Sequence, residues 1–340
     1  MKIKKMKESV KVLSIDGGGI RGIIPGTIMQ AIEEDFNIKV ADYFDLIAGT
    51  STGGILACAY LCPHPDDPTL PRFSAKEVVN LYLERGTEIF DIPFFHRIRS
   101  VGGLTDETYP SKGLEKALND YFGDGWLKDL LKPTVITSYD IHNRKGHFFR
   151  QHKANEPQRN FKVKDICRAT SAAPTYFECS QITAEDKTQY CLVDGGVFVN
   201  NPAMCAYSEI REYTKLTAKN MHILSLGTGH KRDSYPYDKS RNFGKAEWIK
   251  PALDIMMSGA ADVTHFHMSQ IFGTIERPEQ YLRVDQEIPP TINPEMDCAT
   301  PENMESLRQL GLKIYHEHRE TISQWMKLAN EKADTPAPVV

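Results

Sequence analysis

The first sixty residues contain the same succession twice: an apolar run of strand length, a glycine-rich turn, and a run of helical character. The first unit is VKVLSI, then Asp16 and a glycine loop, then IIPGTIMQAIEEDF. The second unit is YFDLIAGT at 43–50, then a Ser-Thr-Gly-Gly turn that enters TGGILACAYLC. Repeated strand–turn–helix units are typical of a parallel sheet with helices packed on it, so the sequence predicts an α/β fold.

Later apolar runs extend this pattern. PTVITSYDI at 133–141, QYCLVD at 189–194 and MHILSL at 221–226 have the length and composition of buried strands. Residues 201–214 are predicted to form a helix with Asn201 as N-cap and Pro202 at its first position. The central sheet is therefore expected to be mostly parallel.

The domain organisation follows from the absence of a Gly/Ser-rich or Pro-rich linker before the last residues. We interpret residues 8–330 as a single domain, with a motif-bearing core at about 10–230 and a C-terminal helical part at about 250–330. Residues 331–340 are predicted to be a disordered tail.

Composition excludes several classes of protein. The net charge of −4 disfavours a nucleic-acid binder, which is usually basic. The sequence contains no run of about 18 apolar residues, so no membrane span is expected. The opening MKIKKMK is not followed by the apolar core of a signal peptide. The seven cysteines are odd in number and lie partly in apolar runs, which favours free thiols in a reducing compartment. Cys58 and Cys62 have no matching Cys/His pair elsewhere, so no metal site is expected.

The second glycine turn, GTSTGG, fits the pattern G-x-S-x-G at Gly49, Ser51 and Gly53. In a nucleophile elbow the serine occupies a sharp strand-to-helix turn, and the flanking glycines relieve its crowding. The strand-like run before it and the helix-like run after it supply the required context. The alternative is a Gly/Ser turn without chemistry, which the pattern alone does not exclude.

A serine nucleophile needs a base, and Asp194 ends the apolar strand 189–194 before two glycines. A buried carboxylate without a partner is costly, so this aspartate is expected to have one. If it accepts the Ser51 proton directly, the two form a Ser–Asp dyad without histidine. The alternative is that Asp194 only caps the turn that follows it.

The first glycine loop has two interpretations. Residues 17–22 fit G-x-G-x-x-G after a strand, with Asp42 and Asp45 about 20 residues beyond, as in a nucleotide-binding α/β protein. The same glycine amides can instead donate to the oxyanion of a tetrahedral intermediate. The second interpretation uses the glycine loop, Ser51 and Asp194 together. A non-catalytic lipid-binding module is a further alternative.

In this order, DGGGIRG, GTSTGG and DGG resemble the patatin-like phospholipases, and ATSAAPTYF, NNPA, LSLGTG and PENMESLRQLG extend the resemblance over most of the chain. The resemblance implies a three-layer α/β/α hydrolase with Ser51 as nucleophile and Asp194 as base. It also implies an oxyanion hole at Gly17, Gly18 and Gly19, where Arg21 occupies the position of the family's basic residue.

The implied activity is that of a serine lipid acyl hydrolase of phospholipase A type, which cleaves fatty-acyl esters of membrane glycerophospholipids without a cofactor. The enzyme is then expected to be cytoplasmic and to act at the membrane surface as a peripheral protein. The Lys-rich start at 2–7 and the apolar segment 89–98 are candidate membrane contacts. Resemblance to bacterial phospholipase effectors of antiviral (anti-phage) signalling implies a cyclic dinucleotide activator. Oligomeric state stays open.

Overall fold

The computed structural model describes residues 9–89, 111–231 and 234–331. Its first elements are the two predicted strand–turn–helix units. Strand β1 spans Val10–Ile15 and is followed, after the glycine loop, by helix α1 at Ile23–Phe36. Strand β2 spans Leu46–Thr50 and is followed by helix α3 at Thr52–Leu61. Strand β2 begins later than the sequence predicts because Val40–Tyr43 forms a short helix, α2.

The remaining elements of the described residues complete an α/β architecture. The strands are β3 (Thr134–Asp140), β4 (Lys145–Arg150), β5 (Ser180–Thr183), β6 (Gln189–Asp194), β7 (Met221–Leu226) and β8 (Tyr281–Val284). The helices are α4 (Ala75–Ile89), α5 (Lys112–Phe122), α6 (Val163–Thr170), α7 (Ala203–Thr214), α8 (Tyr237–Ser240), α9 (Ile249–Thr274) and α10 (Pro301–Asn330). Strand β5 is an element that the sequence does not predict.

The sheet has the order β5-β6-β3-β2-β1-β7-β8, with β4 paired to the other side of β3. Strands β3, β2, β1, β7 and β8 are parallel, whereas β6 and β4 run antiparallel to β3. The predicted mostly parallel sheet is thus confirmed. The antiparallel direction of β6 is not readable from the chain.

Helices cover both faces of the sheet. On β1, Leu13 and Ile15 belong to one apolar cluster, which also contains side chains of α1, α3 and α10. Val10 and Val12 belong to a second cluster with side chains of α7 and α9. Because consecutive strand residues point to opposite faces, one strand contributes to both cores, and the molecule has three layers.

Two predicted helix starts can be compared with the structure. The last helix begins after Thr300, whose side chain accepts the N–H of Asn303, as expected for an N-cap. Helix α7 begins at Ala203, with Pro202 rather than Asn201 at the N-cap position. The Asn201 side chain still accepts the Ala203 N–H at 3.0 Å. It therefore caps a backbone N–H of the first helical turn from the position one residue before the N-cap.

Candidate active site

Ser51 lies between strand β2 and helix α3, and its backbone has φ 53° and ψ −123°. A positive φ is uncommon for a residue with a side chain, and it costs free energy that the surroundings must supply. A Cβ on Gly49 would lie 2.2 Å from the Gly53 carbonyl oxygen, and a Cβ on Gly53 would lie 2.2 Å from that of Ile15. Both flanking positions therefore require glycine, as the elbow interpretation predicts.

Thr170 holds the strained turn in place. The Ser51 N–H donates to Thr170 Oγ1 at 2.8 Å, and that hydroxyl donates to the Thr137 carbonyl at 2.7 Å. The chain of two bonds ties the elbow to strand β3. Thr170 lies in the segment ATSAAPTYF, which contributes to the family resemblance, but its spacing does not reveal this role.

The register of β3 brings Asp194 beside Ser51. Strand β2 pairs with β3 up to Thr50, which lies opposite Thr137. Strand β6 comes from the other direction, and its last residue, Asp194, lies opposite Ser138. The two strands therefore meet end to end along one edge of β3. The Ser51 side chain follows Thr50 at that meeting point and lines the same cavity as the Asp194 carboxylate, whose pKa it lowers.

Asp194 is buried, and no positive charge accompanies it. It accepts the Gly196 N–H at 2.7 Å, and no Lys, Arg or His in the described ranges pairs with it. Burial raises the pKa of Asp194 to about 7, against the lowering effect of the Ser51 hydroxyl and the Gly196 N–H. A carboxylate with a pKa near neutrality can exchange a proton with a serine hydroxyl in either direction.

The glycine loop reaches the same place from β1. The Gly17 N–H donates to the Asn200 carbonyl at 3.1 Å, and the Thr228 hydroxyl donates to the Gly17 carbonyl at 2.7 Å. A Cβ on Gly17 would lie 3.2 Å from Ser51 Cβ. Within the described residues, no acceptor takes the N–H of Gly18 or Gly19. Two of the three predicted donors are thus uncommitted, whereas the Gly17 N–H is already engaged.

Arg21 lies in a 3-10 turn at the end of this loop, where its Nε donates to the Gly18 carbonyl at 3.3 Å. Burial lowers the pKa of its guanidinium, although several acidic groups oppose that shift. The contact supports a role in holding the loop. The sequence leaves this role and a headgroup contact equally open.

A buried ion pair anchors the start of the loop. Arg283 on strand β8 donates to both carboxylate oxygens of Asp16, at 2.9 and 2.6 Å, and also to Asp285 at 3.1 Å. Although burial opposes it, the two carboxylates raise the pKa of Arg283 above its usual range. Arg283 is 267 residues from Asp16, and nothing in the sequence pairs them.

The nucleotide-binding interpretation of the loop does not fit the structure. Asp45 comes directly before β2, and its carboxylate accepts the Lys11 N–H at the start of β1. The glycine loop follows the carboxyl end of β1. Since β1 and β2 are parallel, Asp45 lies at the opposite edge of the sheet from the glycines and cannot contact a ribose held by them.

A cavity opens in front of Ser51 and Asp194, and its walls are mostly apolar. Ile55, Leu81 and Leu114 line it, as do residues of the glycine loop and of α9. No histidine is among the described residues that line it. His222 and His265 could each have been a third catalytic residue beside Ser51 and Asp194. Instead, His222 contacts Gln280 and His265 contacts Tyr281. In the part of the chain that the structure describes, no cluster of side chains suits a metal ion.

Other predictions concern the whole chain. The Lys-rich residues 2–7, residues 90–98 of the apolar segment and residues 332–340 of the tail lie outside the described residues. Among the helices of the described ranges, none combines the length and hydropathy needed to cross a bilayer. All seven cysteines are free thiols, and Cys58, Cys62 and Cys167 are buried.

A three-layer α/β/α sheet protein with a strained serine between a strand and a helix belongs to the α/β hydrolase class. A family model described as Patatin-like phospholipase matches residues 13–207. The chain is 33% identical to Patatin-like protein 1 of Arabidopsis thaliana, over 90% of this chain and 81% of that protein. It is also 33% identical to Patatin-2-Kuras 3 of Solanum tuberosum, over 90% and 84% respectively.

The chain therefore belongs to the patatin-like phospholipase family, and it is a lipid acyl hydrolase, a carboxylic ester hydrolase. Among solved structures, human GIVD cytosolic phospholipase A2 shares 12% identity with it at a TM-score of 0.49. That match covers 94% of this chain and 60% of the human one.

Proposed function

We propose that this enzyme hydrolyses fatty-acyl esters of glycerophospholipids through a Ser51–Asp194 dyad. The observation that carries the proposal is the position of Ser51 at the end of β2, beside the buried Asp194 carboxylate, which has no cationic partner among the described residues. Asp194 accepts the Ser51 proton as Oγ attacks the ester carbonyl, and it then returns that proton to the departing alcohol. In the second half of the reaction it deprotonates a water molecule whose oxygen attacks the acyl-serine carbonyl, and it returns that proton to Ser51 Oγ as the fatty acid is released.

The oxyanion is held by the N–H groups of Gly18 and Gly19. Their lack of an acceptor among the described residues supports this role, and Gly19 lines the cavity beside Ser51. Removal of one oxyanion donor typically costs about 3 kcal/mol of transition-state stabilisation. Helix α3 begins at Thr52, directly after the nucleophile, so its positive dipole end adds to the stabilisation of the negative oxygen.

The apolar cavity accommodates the acyl chain. Ile55, Leu81 and Phe177 provide hydrocarbon contacts beyond the reacting carbon, and an ester with a long acyl chain gains free energy from their burial. The site therefore suits lipid esters better than short polar esters. The family description, Patatin-like phospholipase, supports a phospholipid as the lipid ester.

A fluorophosphonate probe tests the nucleophile. The wild type is expected to become labelled at Ser51, and Ser51→Ala is expected to remain unlabelled and inactive. Ser306→Ala, at a position of α10 that does not line the cavity, is the matched control and is expected to label as the wild type does. Labelling of Ser51→Ala at the wild-type rate would place the nucleophile elsewhere.

Activation by a cyclic dinucleotide, with the antiviral role that accompanies it, stays a prediction, as does the cytoplasmic location. A thermal-shift measurement with a panel of cyclic dinucleotides tests the activator. An increase in Tm together with faster lipid hydrolysis is the expected result, and no change with any member of the panel contradicts it.

A further inference from the structure

The outer face of helix α9 is apolar and uncovered. Although the helix has 26 residues, only Pro251, Met268 and Phe272 are buried. Large apolar side chains on and just before it are instead between 41% and 60% exposed: Trp248, Ile249, Ile255, Met256, Val263 and Phe266. A helix on the surface of a protein normally buries such residues against the core. An exposed apolar set of this size is typical of an interaction surface.

These side chains share one face of the helix. Ile249, Met256 and Val263 recur every seven residues, and Trp248, Ile255 and Phe266 lie beside them when each residue turns by about 100°. Ala252 and Gly259 fill the positions between. The charged residues of this stretch (Lys250, Asp254 and Asp262) fall outside that arc. We call the six large side chains the outer face of α9.

The opposite side of the same helix reaches the catalytic cavity. Met257 lines the cavity together with Ser51 and Asp194. Its Cε lies 3.1 Å from the position of a Cβ on Gly196, two residues after Asp194. One helix therefore separates the cavity from the exposed apolar face. A surface that binds the outer face therefore lies one helix diameter, about 10 Å, from the cavity lining.

The segment that leads into α9 adds positive charge and aromatic side chains. Lys239, Arg241 and Lys245 are all exposed, against two exposed carboxylates, Asp238 and Glu247. Tyr237 is 74% exposed, and Trp248 follows near the helix start. Cations beside an apolar stripe, with Tyr and Trp at the edge, match the headgroup and acyl layers of an anionic bilayer.

We propose that the outer face of α9 is the surface by which this enzyme docks on a phospholipid bilayer. The proposal rests on the proposed function, because it assigns the source of the substrate: acyl chains that leave the membrane beside α9 and enter the cavity past Met257. The six side chains enter the headgroup–acyl boundary, and the preceding cations contact anionic headgroups. The helix lies in the plane of the interface, with its buried side towards the protein.

Vesicle flotation tests the docking surface. Ser51→Ala is the background for binding, so that the lipid is not consumed. We expect it to float with phosphatidylcholine vesicles that contain phosphatidylglycerol, and less with phosphatidylcholine alone or at high salt. Val263→Asp combined with Phe266→Asp is expected to lower binding by about tenfold or more, since two carboxylates replace buried apolar area. The proposal is overturned if the double variant floats as well as its background does, or if neither binds.

Leu70→Asp is the matched control. Leu70 is 53% exposed, so it carries the same kind of change at an equally open position. It lies in the loop after α3, and that helix leads away from Ser51 over ten residues, about 15 Å. Binding by Leu70→Asp is expected to equal that of the background. An equal loss in both would mean that any added surface charge weakens binding, and would contradict a specific face.

Activity separates docking from chemistry and from self-association. With active enzyme, the α9 double variant should lose vesicle hydrolysis by about tenfold or more, while hydrolysis of a soluble short-chain ester and the Tm stay near wild type. A parallel loss on both substrates overturns the proposal. So does a wild-type dimer that the double variant converts to monomer, because the face would then bind a second copy. Failure of the dyad leaves flotation unchanged, so the two proposals fail independently.

Discussion

Two strands of this protein end in the same tripeptide, Asp-Gly-Gly, at Asp16 after β1 and at Asp194 after β6. Both aspartates follow an apolar strand, and both side chains are almost fully inaccessible, with 2% of the residue surface exposed. The surroundings differ in one respect. Asp16 receives two hydrogen bonds from the Arg283 guanidinium, whereas Asp194 receives one from the Gly196 amide and has the uncharged Ser51 side chain beside it.

The difference shows how one short motif serves two purposes. Arg283 supplies a permanent opposite charge, so Asp16 holds the glycine loop as part of an ion pair. Asp194 has no such partner. Burial there outweighs the lowering effect of its two neutral neighbours and raises the pKa of Asp194 to about 7. A buried aspartate becomes a candidate base where the fold withholds a cation.

The largest effect is expected at Asp194. Asp194→Asn keeps the shape and the Gly196 hydrogen bond but removes the proton acceptor, so kcat/KM for a lipid ester should fall by about 10⁴-fold. The same variant should be more stable than the wild type at pH 8. Asp194 keeps its proton up to about pH 7 in the folded state but only up to about pH 4 in the unfolded state. The free energy of unfolding of the wild type therefore falls between these two pH values, by up to about 4 kcal/mol.

Urea unfolding at pH 5 and pH 8, together with steady-state kinetics, measures both parts. At pH 5, where the folded wild type already holds the proton, the stability gain should shrink. Near-normal activity in Asp194→Asn would contradict the proposed Ser51–Asp194 dyad. If a histidine variant then lost activity, a triad would replace it.

Asp16→Asn should have the opposite effect on stability. It leaves the buried Arg283 guanidinium with Asp285 as its remaining carboxylate, and breaking one side of a buried pair costs about 3 kcal/mol or more. The folded fraction should retain kcat/KM within about tenfold, because Asp16 does not contact the reacting atoms. Unfolding midpoints and active-site titration with a fluorophosphonate separate the two quantities. Equal stability changes in Asp16→Asn and Asp194→Asn would erase the distinction between the two motifs.

The glycines two residues after each aspartate offer a sharper contrast. A Cβ on Gly18 would lie 2.3 Å from Thr228 Oγ1 and 2.6 Å from Thr228 Cβ, a clash that the backbone must absorb. Gly18→Ala is therefore expected to destabilise the protein by about 2 kcal/mol. A Cβ on Gly196 would lie 3.1 Å from Met257 Cε, 3.2 Å from Asp194 Oδ1 and 3.3 Å from Asn200 Oδ1. These contacts are all longer than those at Gly18, so Gly196→Ala should cost less than Gly18→Ala, about 1 kcal/mol. Thermal unfolding measures the stability of both variants. A larger loss of stability in Gly196→Ala than in Gly18→Ala would contradict this prediction.

The smallest effect concerns pH. Only ionised Asp194 accepts the serine proton, so kcat/KM should rise with pH through a midpoint near 7, by about tenfold between pH 6 and pH 8. Asp16→Asn should leave that midpoint in place, because the ion pair does not contact Asp194. A midpoint near 4 would mean that Asp194 is not desolvated in solution. Initial rates on a soluble ester avoid pH effects on the lipid surface.

Much of the fold was predictable because its elements are local. Strand β1 and helix α1 have the predicted bounds, since an apolar run and a capped amphipathic run are properties of neighbouring residues. Strand β5 has four residues on the sheet edge and too little pattern to predict. The short helix before Leu46 likewise overrides an apolar run that suits a longer strand.

The glycine requirements of the elbow were also predictable, and the structure supplies the clashes behind them. The exposed face of α9 is a different case. The sequence predicts a helix there, but periodicity identifies an apolar side without telling whether it turns inward or outward. The segment 89–98, chosen from the sequence as a membrane contact, lies almost wholly outside the described residues.

The sequence by itself determined most of the elements, the glycine-flanked serine turn and the two Asp-Gly-Gly strand ends, because each depends on residues adjacent in the chain. The tertiary structure decided which aspartate lies beside Ser51. The end-to-end meeting of β2 and β6 along β3 does this, and strand register is a long-range property. It also decided that Arg283 belongs to Asp16, across 267 residues. In both cases the role of the aspartate depends on the group beside it, and the tertiary structure determines which group that is.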